Sequence, residues 1–289
     1  MKRDIVSVLD MKDDFIDFIT QGIELKNRFK KGDVNNSLTG KTLAMIFEKP
    51  STRTRVSFET GMTQLGGHAI YLSPKDMQLG RGETIADTAR VLSRMVDAIL
   101  YRAFDHKNVL ELAKYSTVSV INGLDDEEHP TQMVADFMTI LEKKGRFQGL
   151  KFAYIGDGNN TLNSLLLSAA IVGMDIYAAT PEGYEPKKEY VKKSQDIAKK
   201  KGSKVIITND PEEAAKDADV IYTDVWVSMG EEKEAEEKEK KFTRYQVNSK
   251  LVKLAKKDYI FMHCLPAHRG KEVTDEVADS KNSVIFDEA

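Results

Sequence analysis

The chain has 289 residues, 41% hydrophobic and 31% charged, with a formal net charge of -3. That length is long for one compact core, so two domains are expected, and the small negative charge excludes a general electrostatic pull toward nucleic acid or an anionic membrane. One cysteine, Cys264, excludes an intrachain disulfide; with no apolar run near ~18 residues and no signal-peptide core at the N-terminus, a cytoplasmic protein without a membrane span is expected.

Asp10 reads as the N-cap of a helix running through Phe15, Ile19, Ile23 and Leu25 to near Gly32. A strand, Thr42 to Phe47, leads into Pro50 and then Ser51-Thr52-Arg53-Thr54-Arg55, where Val56, Phe58 and Met62 give the next segment an apolar helical face. Further strands are expected at 69–72, 98–101 and 118–121, with helices at 85–95 and 109–114 between them. A long helix spans Pro130 to Lys144, and Lys143 to Arg146 reads as its end and a domain joint. The pattern then restarts, with strands at 151–155, 175–179, 204–208, 220–223, 259–262 and 284–286. Strands alternating with helices point to parallel sheets covered on both faces. The expected fold is therefore α/β: two doubly wound domains, 1–145 and 146–289, with the active site in the cleft between them.

Residues 51–55 carry the strongest chemical signal. A helix N-terminus offers backbone N–H groups and a partial positive charge, and arginines with hydroxyls there make a cradle for a phosphate. In a mildly acidic protein such a site fits a small anionic ligand. Other unusual polar residues follow predicted strands: Arg102, His129 with Gln132, Asp157 to Asn160, Asp224, and His263-Cys264-Leu265. All would lie at the carboxyl ends of the sheets, with the cradle. Arg102, His129 and Gln132 can donate to a carbonyl oxygen on which charge develops. Asp224 can hold a cationic amine, and Cys264 can line the space between. The histidine spacings give no metal constellation. Gly156-Asp157-Gly158 resembles the start of a dinucleotide fingerprint, with Asp175 as a ribose acid, but lacks the third glycine; a tight strand-to-helix turn is the simpler reading. The charged run Glu231 to Lys241 reads as a solvated segment beside a loop able to fold over a ligand.

The motifs F-E-K-P-S-T-R-T-R from Phe47, S-P-K-D-M-Q-L-G-R-G-E from Ser73, H-P-T-Q from His129, G-D-G-N-N from Gly156, D-V-W-V-S-M-G from Asp224 and H-C-L-P from His263 cover nearly the whole chain. Together they resemble the ornithine branch of the aspartate/ornithine carbamoyltransferase family. The resemblance implies carbamoyl phosphate bound by Ser51, Thr52, Arg53 and Thr54, with Gln78 reaching the site of a neighbouring subunit in a homotrimer. It implies Arg102, His129 and Gln132 on the carbamoyl oxygen, and Cys264 and Leu265 near the reacting groups. Asn160, Asp224, Ser228 and Met229 would bind the amino-acid end of L-ornithine. No metal or organic cofactor is implied. Family members continue past F-D-E-A with E-N-R and a further helix; a chain without them is expected to bind carbamoyl phosphate more weakly and to be less stable. Alternatives are a carbamoyltransferase for another amine such as putrescine, a catalytically weak binding paralogue, and a nicotinamide oxidoreductase.

Overall fold

The computed structural model describes residues 2–79, 81–227 and 235–289. It divides into two compact units, Met1–Thr131 and Gln132–Ala289. Both are α/β with an all-parallel central sheet, as the alternation of elements requires.

The first unit contains α1 (Phe15–Lys30), β1 (Thr42–Phe47), α2 (Thr52–Gln64), β2 (His68–Leu72), α3 (Ile85–Leu92), β3 (Ala98–Arg102), α4 (His106–Tyr115) and β4 (Ser119–Leu124). Its strands lie in the order β2-β1-β3-β4. The chain leaves β1 toward one edge and later returns to build the other. The carboxyl ends of β1 and β3 thus meet where the strand order reverses, with Phe47 in register with Arg102. Such a point leaves a crevice between diverging loops. Buried Ala44, Ile46, Ile99, Tyr101 and Val120 pack with α3 and α4 on one face.

α5 (Pro130–Lys144) begins at the end of the first unit and continues into the second. The second unit adds β5 (Lys151–Ile155), α6 (Asn160–Val172), β6 (Asp175–Ala179), α7 (Lys188–Lys201), β7 (Val205–Thr208), α8 (Pro211–Ala215), β8 (Val220–Tyr222), α9 (Ala235–Phe242), α10 (Ser249–Val252), β9 (Ile260–Met262), α11 (Asp275–Ala278) and α12 (Ile285–Glu288). Its strand order is β7-β6-β5-β8-β9, with the reversal between β5 and β8. Every residue of α6 from Thr161 to Val172 is buried, so this helix turns no face to solvent. No described helix is long and apolar enough to cross a membrane.

Two expected elements differ. Asp10 does not cap the first helix: it is the third residue of a short 3-10 turn, Val8–Met11, where its carboxylate closes a capping box with Ser7, and α1 starts after Asp14. Residues 284–286 are not a strand. Ser283 makes one bridge to Phe261, and the chain then turns into α12. Val284 and Ile285 are both buried while Phe286 is exposed, which breaks strand alternation. A three-residue apolar run carries too little periodicity to tell a strand from a buried helical turn.

Candidate active site

In the first unit, residues 51–54 open α2, as the sequence reading expects. Ser51 is the extended N-cap of α2, and its Oγ accepts from the Thr54 N–H at 3.3 Å and lies 3.0 Å from the Thr54 hydroxyl. Arg102, at the end of β3, is buried; its Nη1 reaches Thr54 Oγ1 and the Gly123 carbonyl, both at 3.4 Å. His129 is buried and held well below its ordinary value, first by burial, then by the charges of Arg102 and Arg53. It is therefore a neutral imidazole, with the Thr131 hydroxyl 3.3 Å from Nδ1. Thr52 is exposed, Arg53 half-buried and Gln78 exposed in the loop before α3.

Arg55 does not belong to the cradle. Its Nε donates to Glu59 at 2.9 Å, and its guanidinium stacks 3.8 Å from the centre of the Tyr71 ring. Residues two apart on a helix point to nearly opposite sides, so Arg53 and Arg55 cannot serve one anion. Lys49 has no assigned role in the sequence reading, yet it is buried, and its ammonium is pushed below its ordinary value by burial and by repulsion from Arg102. It therefore adds positive potential beside Arg102. Its only sequence signal was its place inside F-E-K-P.

The loop before His129 is bolted to the N-terminal segment. Glu128 accepts from the Ser7 hydroxyl at 2.6 Å and the Val8 N–H at 2.9 Å. Burial pushes its carboxyl from 4.5 up to about 7, against those two hydrogen bonds. A carboxyl raised on folding contributes stability that is complete below its unfolded value and is lost as pH rises through its folded one. At ~1.4 kcal/mol per unit, the shift corresponds to roughly 3 kcal/mol. Melting temperatures taken at pH 5 and pH 8 should therefore fall more steeply for the native chain than for Glu128→Gln. Equal slopes would contradict the assignment.

In the second unit, three strand ends converge. Asn159, the N-cap of α6 after β5, donates through Nδ2 to Asp224 Oδ2 at 2.9 Å. Asp224 Oδ1 accepts from the Val225 N–H at 2.8 Å and from the Cys264 thiol at 3.1 Å. Burial, and then the charge of Asp224, push that thiol well above its ordinary value, so it is a neutral donor rather than a thiolate. Asn160 is the first residue of α6 and half-buried, as is Leu265. Gln132 lies on the first turn of α5, its Nε2 donating to Asp136 Oδ1 at 2.8 Å. Ser228 and Met229, expected to bind ornithine, lie outside the described residues, as do 230–234 of the expected ligand-covering loop. Ser51 to Thr54 and Arg102 thus lie at the strand-order reversal of the first unit, and Asn159, Asn160 and Asp224 at that of the second.

The comparisons agree with this arrangement. The family described as aspartate/ornithine carbamoyltransferase, carbamoyl-P binding domain, matches residues 3–142, and its Asp/Orn binding domain matches residues 148–289. The chain belongs to the aspartate/ornithine carbamoyltransferase family. A curated relative from Thermoplasma volcanium, named a catabolic ornithine carbamoyltransferase, is 70% identical over all of this chain and 94% of its own length. One from Pyrococcus furiosus, named anabolic, is 57% identical over 99% of this chain and 91% of its own. The solved Pyrococcus furiosus ornithine carbamoyltransferase superposes with a TM-score of 0.96 at 56% identity, covering 99% of this chain and 92% of that one.

The structure bears on three sequence readings within this family frame. The histidine spacings suggested no metal constellation, but the fold brings ligand atoms of Asp224, His263 and Cys264 within 4.8 Å of one another. Residues from two strand ends meet there, which linear spacing cannot reveal. Both ring nitrogens of His263 are engaged: Nδ1 accepts from the Leu265 N–H at 2.9 Å, and Nε2 faces Glu272 at 3.3 Å. That set fits a metal poorly, because the imidazole lone pair is already used. Second, Gly158 makes no room for a pyrophosphate: a Cβ there would stand 2.4 Å from the Tyr184 carbonyl oxygen, and the Gly158 N–H donates to that oxygen at 2.9 Å. Asp175 accepts from the Lys204 N–H at 2.8 Å, a bond between neighbouring strand starts rather than one to a ribose. Third, the charged run is not wholly solvated. Lys238 is buried, its ammonium 2.8 Å from buried Asp157, and Phe242 is fully buried.

Proposed function

We propose that the chain transfers the carbamoyl group of carbamoyl phosphate to the δ-amino group of L-ornithine, giving L-citrulline and phosphate. The observation that carries this reading is the pairing of an anion cradle at one strand-order reversal with a hydrogen-bonded carboxylate at the other. They lie in units that match a carbamoyl-P binding domain and an Asp/Orn binding domain, respectively.

In this reading, Ser51, Thr52, Arg53 and Thr54 hold the phosphate at the N-terminus of α2. Arg102, His129 and Gln132 hold the carbamoyl group. His129 is neutral, and in the tautomer protonated on Nε2 that N–H is the donor while Nδ1 faces the Thr131 hydroxyl at 3.3 Å. The neutral δ-amine attacks the carbonyl carbon, and the C–N bond forms as the carbonyl π electrons move onto oxygen. Those electrons return as the C–O bond to phosphate breaks, and the amine proton leaves with the departing phosphate or solvent. Charge grows on the carbamoyl oxygen and on the leaving group, where Arg102 and the cradle stand ready. Asp224, Asn160, Ser228 and Met229 take the amino-acid end of ornithine, and Leu265 lines the site. Holding two small reactants in line supplies much of the remaining acceleration. The halves in this reading are 1–145 for carbamoyl phosphate and 146–289 for ornithine, and Gln78, exposed on its loop, completes the site of a neighbouring subunit in a homotrimer. The enzyme works in the cytoplasm, in arginine biosynthesis or in citrulline breakdown.

Cys264 acts here as a neutral positioning donor to Asp224 and not as a nucleophile. Cys264→Ser is therefore expected to keep kcat/KM within ~10-fold of the native chain, because a hydroxyl can make the same bond. Complete loss with an intact fold would point instead to a covalent thiocarbamate. The function itself is tested by a citrulline-type colorimetric assay with carbamoyl phosphate and, in parallel, ornithine, putrescine and aspartate. Turnover with ornithine alone is expected, and turnover with putrescine alone would refute the reading.

A further inference from the structure

Within the second unit, a buried chain of hydrogen bonds lies behind the proposed site, outside the chemistry described above. Gln132 on α5 donates to Asp136 one turn along the same helix, and the backbone N–H of His263, at the end of β9, donates to Glu288 Oε2 at 2.9 Å. Asp136 and Glu288 are 0% and 3% exposed. The two side chains are within hydrogen-bonding reach of each other. Their remaining oxygens, Asp136 Oδ2 and Glu288 Oε1, are buried, and the Tyr222 hydroxyl, buried too and otherwise unpartnered among the described residues, stands within hydrogen-bonding reach of both side chains.

Two ionised carboxylates cannot rest against each other in such a place. One shared proton turns the repulsion into an O–H···O bond and satisfies both oxygens. Burial raises both carboxyls; the charge of Asp136 and its hydrogen bond raise Glu288 further, whereas Asp136 is raised by the charge of Asp224 and lowered by its bonds to Gln132, Glu288 and Tyr222, so the shared proton sits on Glu288 and is donated to Asp136. The groups facing the pair come from several elements: Tyr222 of β8, then Asp224 beyond it, and Cys264 beyond β9. None of them brings a positive charge that would hold both carboxyls ionised.

We propose that Asp136 and Glu288, sharing one proton, are positioning residues for carbamoyl transfer. Asp136 fixes which end of the Gln132 carboxamide faces the carbamoyl group, and Glu288 clamps the backbone that carries Cys264 and Leu265. This rests on the reading that Gln132 meets the carbamoyl group. Asp136 cannot be replaced by an apolar residue without freeing that amide to rotate. An asparagine, in contrast, can accept from Gln132 through its oxygen and donate to Glu288 through its nitrogen.

The test compares the native chain with Asp136→Asn, Asp136→Ala and Glu288→Gln. Infrared difference spectra of native chain minus variant, which need no turnover and cancel the signal of Glu128, should show the C=O stretch of a protonated carboxyl that is lost in Asp136→Asn and in Glu288→Gln. No such band would overturn the shared proton. In steady-state kinetics corrected for folded fraction, Asp136→Ala should lower kcat/KM for carbamoyl phosphate by ~10- to 100-fold, the usual penalty for a misplaced reacting group, and Asp136→Asn should stay within ~3-fold. If Asp136→Asn is as impaired as Asp136→Ala, or if Asp136→Ala loses only folded fraction, the positioning role is wrong. A native chain inactive toward every amine would refute the proposed function and the positioning role together, while the infrared result would still decide the shared proton.

Discussion

Arg102→Met should lower kcat for carbamoyl transfer by about 10²- to 10³-fold at saturating ornithine and carbamoyl phosphate, the range found when one preorganised oxyanion donor is removed. The arginine is buried at the end of β3, beside the helix N-terminus of the cradle and the neutral ring of His129. A cation held there acts in a poorly hydrated site, where its field is weakly screened. Methionine fills similar volume but supplies neither charge nor donor, so the loss should fall on the chemical step more than on folding. A thermal melt within a few degrees of the native chain would support that separation. Arg55→Met is the internal control. Arg55 is exposed, paired with Glu59 and stacked on Tyr71, so its replacement should change kcat less than ~3-fold, as exposed pairs contribute little. Equal losses for the two variants would mean that the cradle uses both arginines and that the helix geometry has been misread.

Asp224→Asn should lower kcat/KM for ornithine by about 30- to 10³-fold while leaving the KM for carbamoyl phosphate within ~2-fold; truncating one side of a buried charge interaction commonly costs ~2–5 kcal/mol. Three donors surround this carboxylate: Asn159 Nδ2, the Val225 N–H and the Cys264 thiol. An asparagine of the same size must turn its own N–H toward one of them, so it both removes the charge and misaligns the acceptor. Steady-state kinetics with each substrate varied in turn would separate the two sides of the reaction. A parallel rise in both KM values would place Asp224 in general stability rather than in amino-acid binding.

The helix start proposed as the anion cradle was readable from sequence because its geometry is local. Ser51, Thr54 and the start of α2 lie within four residues, and a helix N-terminus needs no distant partner to become positive. Arg102, His129, Asp224 and Cys264 were visible as polar residues after strands, a position that follows from strand length and turn alone. The meeting of Asn159, Asp224 and Cys264 depends instead on β5, β8 and β9 being neighbours, and strand order is set by packing rather than by local pattern. Arg55 was misjudged for a geometric reason, the rotation of side chains around a helix. Lys238 was misjudged because its charge suggested solvent, and only the fold supplied buried Asp157 as its partner.

By itself, the sequence determined two α/β units, a hydroxyl- and arginine-rich helix start at residue 51 and the family to which the motifs point. All of these are written in short-range periodicity, capping and local composition. The tertiary structure alone decided that Arg55 faces away, that Lys49 stands buried beside Arg102, that the thiol of Cys264 is a neutral donor to Asp224, and that Asp136 and Glu288 meet in the dark. Each of these depends on which residues distant in sequence are packed together away from water. Burial and neighbouring charge, which set the protonation of a group, exist only once the chain has folded.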